Sequence, residues 1–180
     1  MSGMQFEKIV GEDQLIELYG DRVESSGNDF VGGLAWIGTE RVMWAEWESD
    51  QISIGSIRRL ERLFKLANHS GRPFFLTTDL VQQLRYQAEQ SSLSVKIAIQ
   101  SWMECVVDYS SAIVAVTRNK KEPLDRYTDM IADYTVSSTA ESLEIIKKLD
   151  KVTKDVLKRE RKQRILGFSL NQKKDYSSQE

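Results

Sequence analysis

Apolar and polar residues alternate most regularly over residues 29–47, where two apolar runs meet at Gly38-Thr39. The alternation has the period of a β-strand, and the short break between the runs predicts a β-hairpin. In the second arm Trp44 points to one face and Met43 to the other, and both faces carry further apolar residues. Gly32-Gly33 in the first arm indicates either a bulge or a close backbone approach. Because a free-standing antiparallel sheet usually keeps one face polar, we expect helices to cover this hairpin on both sides.

Beyond the hairpin, helix and strand patterns alternate. Ile57, Leu60 and Phe64 have the spacing of one helix face, and apolar runs predict buried strands at Phe74–Leu80 and Ala112–Val116. Further helices are predicted around residues 81–88, 95–106 and 139–156, and a last strand around residues 132–136. Ser138 and Glu141 have the spacing of a capping box, which predicts the start of the last helix. This order predicts an α/β fold with a single mixed sheet of about five strands, opened by the hairpin, flanked by helices and followed by a long charged C-terminal helix.

Residues 1–28 leave two alternatives open. Asp13 can cap a short helix, or residues 21–24 can begin a strand. We divide the chain into a partly ordered N-terminal extension (1–28), an α/β domain (29–150), a basic helical extension (151–170) and a disordered tail (171–180).

The formal net charge of −2 hides an asymmetry. Between Lys147 and Lys174 there are 11 lysines and arginines against 3 acids, so an acidic body carries a basic C-terminal segment. This segment is either an interaction tail or a solvated helix. Docking on an acidic protein partner, or on the acidic body of a second copy, fits the asymmetry best.

Nucleic-acid binding is the alternative partner class. It would use the basic side chains of the last helix as phosphate contacts: Lys154, Lys158, Arg159, Arg161, Lys162 and Arg164. The acidic body and the lack of interleaved aromatic residues count against it. The candidate protein-partner surface combines hairpin tryptophans with the same helix: Trp36, Trp44, Trp47, Lys158, Arg159, Arg161, Lys162 and Arg164.

Several kinds of chemistry lack their sequence signals. His69 is the single histidine and Cys105 the single cysteine, which excludes a histidine-rich metal site and an internal disulfide. P-loop, dinucleotide-binding and nucleophile-elbow patterns are absent. We therefore predict no catalytic residue, no metal and no cofactor. The chain also lacks an apolar run of about 20 residues and a signal-peptide layout, which predicts a cytoplasmic protein without a membrane span.

Ligands of open α/β sheets bind at the carboxyl ends of the strands. Polar residues that follow the two predicted central strands are therefore the candidate ligand or partner site: Thr77, Thr78, Asp79, Thr117, Arg118 and Asn119. Ordinary loop chemistry is the alternative explanation for these residues.

Two segments resemble a known family. The runs SAIVAVTRN at Ser111–Asn119 and YTVSSTAESLEIIKKL at Tyr134–Leu149, together with the element order over residues 28–150, resemble STAS-type, anti-sigma-factor-antagonist-like domains. The resemblance implies a non-enzymatic bacterial signalling domain that binds a protein partner, in some relatives under control of serine phosphorylation.

The family's phosphorylatable turn, Asp-Ser-Ser/Thr-Gly, is missing after Phe74–Leu80, and the basic extension is atypical. Asp108–Ala112 echoes that turn, which makes Ser110 and Ser111 the candidate phosphoswitch; a plain polar loop is the alternative. The leading hypothesis is a regulatory domain that acts through contact with a protein partner or through self-association as a dimer. The other hypotheses are nucleic-acid binding and an α/β enzyme with an unrecognised small-molecule site.

Overall fold

The computed structural model describes residues 9–10, 15–18, 30–47 and 52–177. Its strands are β1 (Leu15–Glu17), β2 (Phe30–Ile37), β3 (Glu40–Trp47), β4 (Phe74–Thr77), β5 (Ile113–Val116) and β6 (Tyr134–Val136). Its helices are α1 (Ile54–His69), α2 (Thr78–Gln90), α3 (Leu93–Asp108), α4 (Arg126–Ile131), α5 (Thr139–Leu149) and α6 (Lys154–Ser177).

The strands form one mixed sheet whose spatial order, β1 to β6, follows the chain. Strands β1, β2 and β3 are antiparallel neighbours, and β3 to β6 run parallel. This confirms the predicted α/β fold with a mixed sheet flanked by helices and a long C-terminal helix. A sixth strand is added at the edge, because Leu15–Glu17 pairs with β2 instead of forming the helix that Asp13 would cap. Asp13 and residues 21–24 lie outside the described part of the chain.

The hairpin of β2 and β3 turns at Gly38, whose φ of 63° suits the residue without a side chain. Helices cover both of its faces. Met43 packs in the cluster that contains Phe64 of α1, whereas Trp44 packs in the opposite cluster, which contains Ile146 of α5. The alternating pattern is satisfied because each face buries apolar side chains in a core cluster.

A buried arginine ties the edge strand to the sheet. Arg59 of α1 is 1% exposed and donates hydrogen bonds to the carbonyl oxygens of Leu18, Phe30 and Gly32 at 2.8 to 3.1 Å. Its guanidinium also pairs with Glu17 of β1 at 3.3 Å. One side chain thus joins α1, β1 and β2, and these contacts compensate for its removal from water.

The predicted helix over residues 139–156 is two helices, α5 and α6, separated between Leu149 and Lys154. Residues before and after this break pack on opposite faces of the sheet: Ile146 lies in one core cluster, and Phe168 packs against the other. Helix α6 runs on to Ser177, through the first residues of the predicted tail.

Within the described ranges, none of the helices combines the length and the apolar character that crossing a bilayer requires.

Candidate functional site

The carboxyl edge of the parallel strands is formed where β4 passes directly into α2. The apolar run at 74–80 predicted a longer strand, but the strand ends at Thr77 and Thr78 is already helical. Thr77 makes no side-chain capping hydrogen bond to α2. The first backbone N–H groups of α2, and the positive end of its dipole, therefore lie at this edge of the sheet.

The two predicted groups of site residues meet across this edge. Arg118, which follows β5, forms an ion pair with Asp79 in the first turn of α2, with 2.9 Å between guanidinium nitrogen and carboxylate oxygen. The Arg118 side chain is 53% exposed, so a ligand from solvent can reach its guanidinium. Charged hydrogen bonds of this kind are the usual means of binding a carboxylate.

Three threonines flank the two members of this pair in the sequence. Thr77, Thr78 and Thr117 are all less than 10% exposed, and Thr77 Oγ1 accepts a hydrogen bond from the Trp47 N–H at 3.4 Å. Asn119 is exposed, and its Oδ1 accepts the N–H of Lys121 at 3.0 Å, which orders the loop after β5. The predicted residues therefore share one edge of the sheet, and their role as a site stays a prediction.

A second polar group lies at the carboxyl end of β6. The expected capping box opens α5, with the Glu141 N–H donating to Ser138 Oγ at 3.3 Å. The Glu141 carboxylate accepts the Ser137 N–H at 3.2 Å and pairs with Lys120 at 2.5 Å. The hydrogen bond from Lys120 is the main reason why the pKa of Glu141 is lowered. Sequence spacing indicated the cap but not Lys120, which approaches from another loop.

Arg161 cannot belong to the proposed partner surface, because its side chain is fully buried. It donates to the carbonyl oxygens of Val106, Tyr109 and Ser111 at 2.6 to 3.0 Å and pairs with Asp133 at 2.5 Å. Asp133 also accepts the Ile113 N–H at 2.8 Å. Arg161 therefore anchors α6 to the amino edge of the sheet. The sequence analysis did not select its partner Asp133, because this acid belongs to no motif.

The other residues of that surface divide by burial. Trp44 is fully buried and stacks on Phe75 with ring centroids 6.2 Å apart, so it too is a core residue. Trp36 and Trp47 are half-buried, while Arg159 and Lys162 are exposed.

Burial and ion pairing also reduce the number of α6 cations that could contact a nucleic acid. Arg161 is buried, Arg164 pairs with Asp133 at 2.7 Å, and Lys158 is 3.8 Å from Asp108. Fewer cations than the sequence offers are left for phosphate contacts.

The candidate phosphoswitch lies between α3 and β5. Ser110 donates its N–H and its hydroxyl to Asn68 Oδ1, at 2.8 and 2.7 Å. Ser111 is 6% exposed. Modification of either serine stays a prediction, and the resemblance that suggested it is corrected below.

No family model and no curated protein matches this sequence. Solved structures match it in fold. A chain of the Pseudomonas malonate decarboxylase MdcD-MdcE hetero-dimer is 12% identical with a TM-score of 0.53, over 82% of this chain and 84% of that chain. A chain of a Pseudomonas malonate decarboxylase hetero-tetramer in complex with malonate is 12% identical with a TM-score of 0.52, over 83% and 81%.

A third structure is transcarboxylase 12S, a hexamer with methylmalonyl-coenzyme A and methylmalonic acid bound. It is 14% identical with a TM-score of 0.47, and the match covers 63% of this chain but only 22% of that one.

The two malonate decarboxylase matches overturn the STAS-like interpretation. The STAS resemblance rested on an alternation of strands and helices that many α/β folds share, and it did not determine the strand order. The expectation of a non-enzymatic regulatory signalling domain is also wrong, because the chains with a matching fold are enzyme subunits. In fold, this chain is similar to one chain in each of these two Pseudomonas malonate decarboxylase structures.

Proposed function

We propose that this chain is a subunit of an enzyme that binds a small malonate-type carboxylated group and removes or transfers its carboxyl group. The observation that carries the proposal is the fold match to malonate decarboxylase chains, which spans 82% of this chain and 84% of its counterpart. Because the match extends over most of both chains, it supports the proposal for the fold as a whole and not for one segment of it.

The carboxyl edge supplies groups suited to such a ligand. Arg118 offers an accessible guanidinium, and the uncapped start of α2 offers backbone N–H groups. A dicarboxylate such as malonate would place one carboxylate on each. Thr78 and Thr117 would then line the floor between them.

The reaction needs stabilisation of negative charge. Decarboxylation breaks the bond between a carboxylate and the neighbouring carbon, releases carbon dioxide and leaves the electron pair on that carbon as an enolate, which solvent then protonates. Hydrogen-bond donors aimed at the enolate oxygen lower the barrier. In this proposal the N–H groups at the start of α2 are those donors, and Arg118 orients the carboxylate.

Asp79 has a distinct place in this proposal. Its carboxylate already binds Arg118 at 2.9 Å, so it competes with any carboxylate ligand for that guanidinium. Removing its charge should make Arg118 more available.

A partner subunit is the second part of the proposal. The malonate decarboxylase chains with this fold come from a hetero-dimer and a hetero-tetramer. A subunit that depends on a partner would bind ligand alone without turning it over, so ligand binding is the decisive measurement.

The test is isothermal titration of malonate into the purified full chain. Arg118→Gln should weaken binding by about tenfold, because a hydrogen bond to a charged group contributes roughly 1.5 to 3 kcal/mol. Asp79→Asn should tighten it. Lys121→Gln makes the same charge change in the same exposed loop and should leave the affinity within about twofold.

Absence of saturable malonate binding by the wild-type chain would refute the proposal. Equal losses of malonate affinity in Arg118→Gln and Lys121→Gln would also refute it, since any positive charge in the loop would then have the same effect.

A further inference from the structure

A cavity of about 490 Å³ lies between α2, α3, α4 and α6, away from the carboxyl edge. Ala88 lines it from α2, ten residues beyond the start of that helix at Thr78, which is a distance of about 15 Å along the axis. Its volume falls in the range of small-molecule sites. The proposed function makes no use of this cavity.

One wall of the cavity is an apolar stripe. Ile99, Met103 and Val107 succeed one another at intervals of four residues, so they lie on one side of α3. Ile165 of α6 also lines the cavity. Met103 is unbranched and flexible, which suits a wall that must adapt to a ligand. An apolar wall of this kind favours binding of a hydrocarbon segment of a ligand.

The charged groups are distributed unevenly along this helix. Lys96 lines the cavity near the start of α3, and within the described residues it has no ion-pair partner. Glu104 and Asp108 line it toward the other end, with Glu104 about 12 Å from Lys96 along the helix axis. Asp108 is already 3.8 Å from Lys158. Lys96 is therefore the unmatched charge at its end of the cavity, and it favours an anionic group there.

We propose that this cavity binds an unbranched medium-chain fatty carboxylate, with its carboxylate at Lys96 and its chain along Ile99, Met103 and Val107. The acids at the far rim disfavour the reversed orientation. Tyr127, which packs edge-on against Phe168 with centroids 5.9 Å apart, lines this cavity and a neighbouring one of about 450 Å³.

The first test is titration of the full chain with hexanoate, octanoate and decanoate, each below its micelle concentration. Burial of a methylene contributes about 0.8 kcal/mol, so each added carbon that is buried in the cavity should tighten binding by up to about fourfold. Decanoate should bind about fivefold tighter than decanol, which lacks the charge, and decyltrimethylammonium should bind most weakly.

Two pairs of variants locate the ligand. Met103→Trp fills the cavity and should abolish binding, while Met103→Leu conserves volume and should retain it. Lys96→Gln should lower the affinity for decanoate to that for decanol. Lys162 is an exposed lysine on α6 that lines no part of this cavity, so Lys162→Gln should leave the affinities for decanoate and decanol unchanged. In the wild-type chain, the Met103 methyl NMR signal, assigned from Met103→Leu, should shift on titration even if Met103→Trp fails to fold.

Binding that is absent, that is tightest for the cationic amphiphile, or that leaves the Met103 signal unmoved would overturn the proposal. Malonate binding at the carboxyl edge is measured separately, so either proposal can fail without the other.

Discussion

Two arginines, Arg59 and Arg161, are buried at opposite ends of the fold, and each uses its guanidinium to satisfy several backbone carbonyl groups. A buried guanidinium is tolerated only when its donors and its charge find partners. Both residues therefore hold elements together: Arg59 holds β1, and Arg161 holds α6.

Replacement of Arg161 by methionine should destabilise the protein by about 3 kcal/mol. The change leaves three carbonyl groups without their donor and removes one of the two cations that pair with buried Asp133. Urea denaturation followed by tryptophan fluorescence measures the loss. Arg159→Met, two residues earlier on the exposed side of α6, is the matched control and should stay within about 0.5 kcal/mol. A loss below about 1 kcal/mol for Arg161→Met would contradict this assignment.

Tyr109 should make stability fall in alkaline solution. Burial raises the pKa of its phenol well above the ordinary value of about 10, and its hydroxyl donates to the Arg72 carbonyl oxygen. Above pH 10 the unfolded chain loses this proton while the folded chain keeps it. Stability should then decline by about 1.4 kcal/mol per pH unit.

Tyr109→Phe provides the comparison for this effect. At pH 7 it should be about 1 kcal/mol less stable than the wild type, because a hydrogen bond is lost. The difference should close by about pH 11, since the variant lacks the titrating group. Tyr86→Phe, on the exposed side of α2, controls for loss of a surface phenol at pH 7. A gap that stays constant from pH 8 to 11 would refute the interpretation.

At the scale of elements, the edge strand β1 depends on a glycine of its neighbour. A Cβ atom on Gly33 would lie 2.0 Å from the Ile16 carbonyl oxygen and 2.8 Å from the Leu18 nitrogen. These are backbone atoms, so no side-chain rotation can relieve the overlap. The sequence allowed either a bulge or a close backbone approach at this glycine pair, and Gly33 makes the close approach.

Gly33→Ala should therefore displace β1 from the sheet while leaving the β2–β3 hairpin paired. Hydrogen exchange should show lost protection of the amides in residues 15–18 and retained protection in residues 40–47. Gly167→Ala is the control, because a Cβ there meets nothing within 4 Å; in a helix it should stabilise by about 0.5 to 1 kcal/mol. Unchanged protection of β1 in Gly33→Ala would show that the strand tolerates the side chain.

For the whole molecule, the open question is whether α6 is an extension or a part of the domain. Leu157 lies in one core cluster, while Ile165 and Phe168 pack against the other, and Arg161 pairs with Asp133. From these contacts we predict that α6 folds together with the sheet, whereas the boundary predicted at residue 150 would make it a separate extension.

A chain ending at Thr153 should lose cooperative unfolding, because Asp133 and the apolar surface under α6 are then uncovered. A chain ending at Ser169 keeps Arg161, Arg164 and Phe168, and its urea midpoint should match that of the full chain. Near-UV circular dichroism and urea titration of the two truncated chains distinguish a helix that belongs to the domain from a separate extension. Cooperative unfolding of the shorter chain at the full-length midpoint would favour the predicted extension.

Local patterns were sufficient for much of the fold. The alternation around Trp44 predicted a hairpin covered on both faces, the spacing of Ile57 and Phe64 predicted α1, and Ser138 with Glu141 predicted the start of α5. Each signal comes from residues a few positions apart, whose periods follow directly from helix and strand geometry.

The sequence by itself thus determined the α/β class, the two-sided burial of the hairpin and the position of Arg118 after a central strand. Only the tertiary structure decided the strand order, the Asp79–Arg118 contact and the burial of Arg161 against Asp133. Those pairs join residues 28 or more positions apart. No periodic pattern encodes such contacts, because they arise only when packing brings separate elements together.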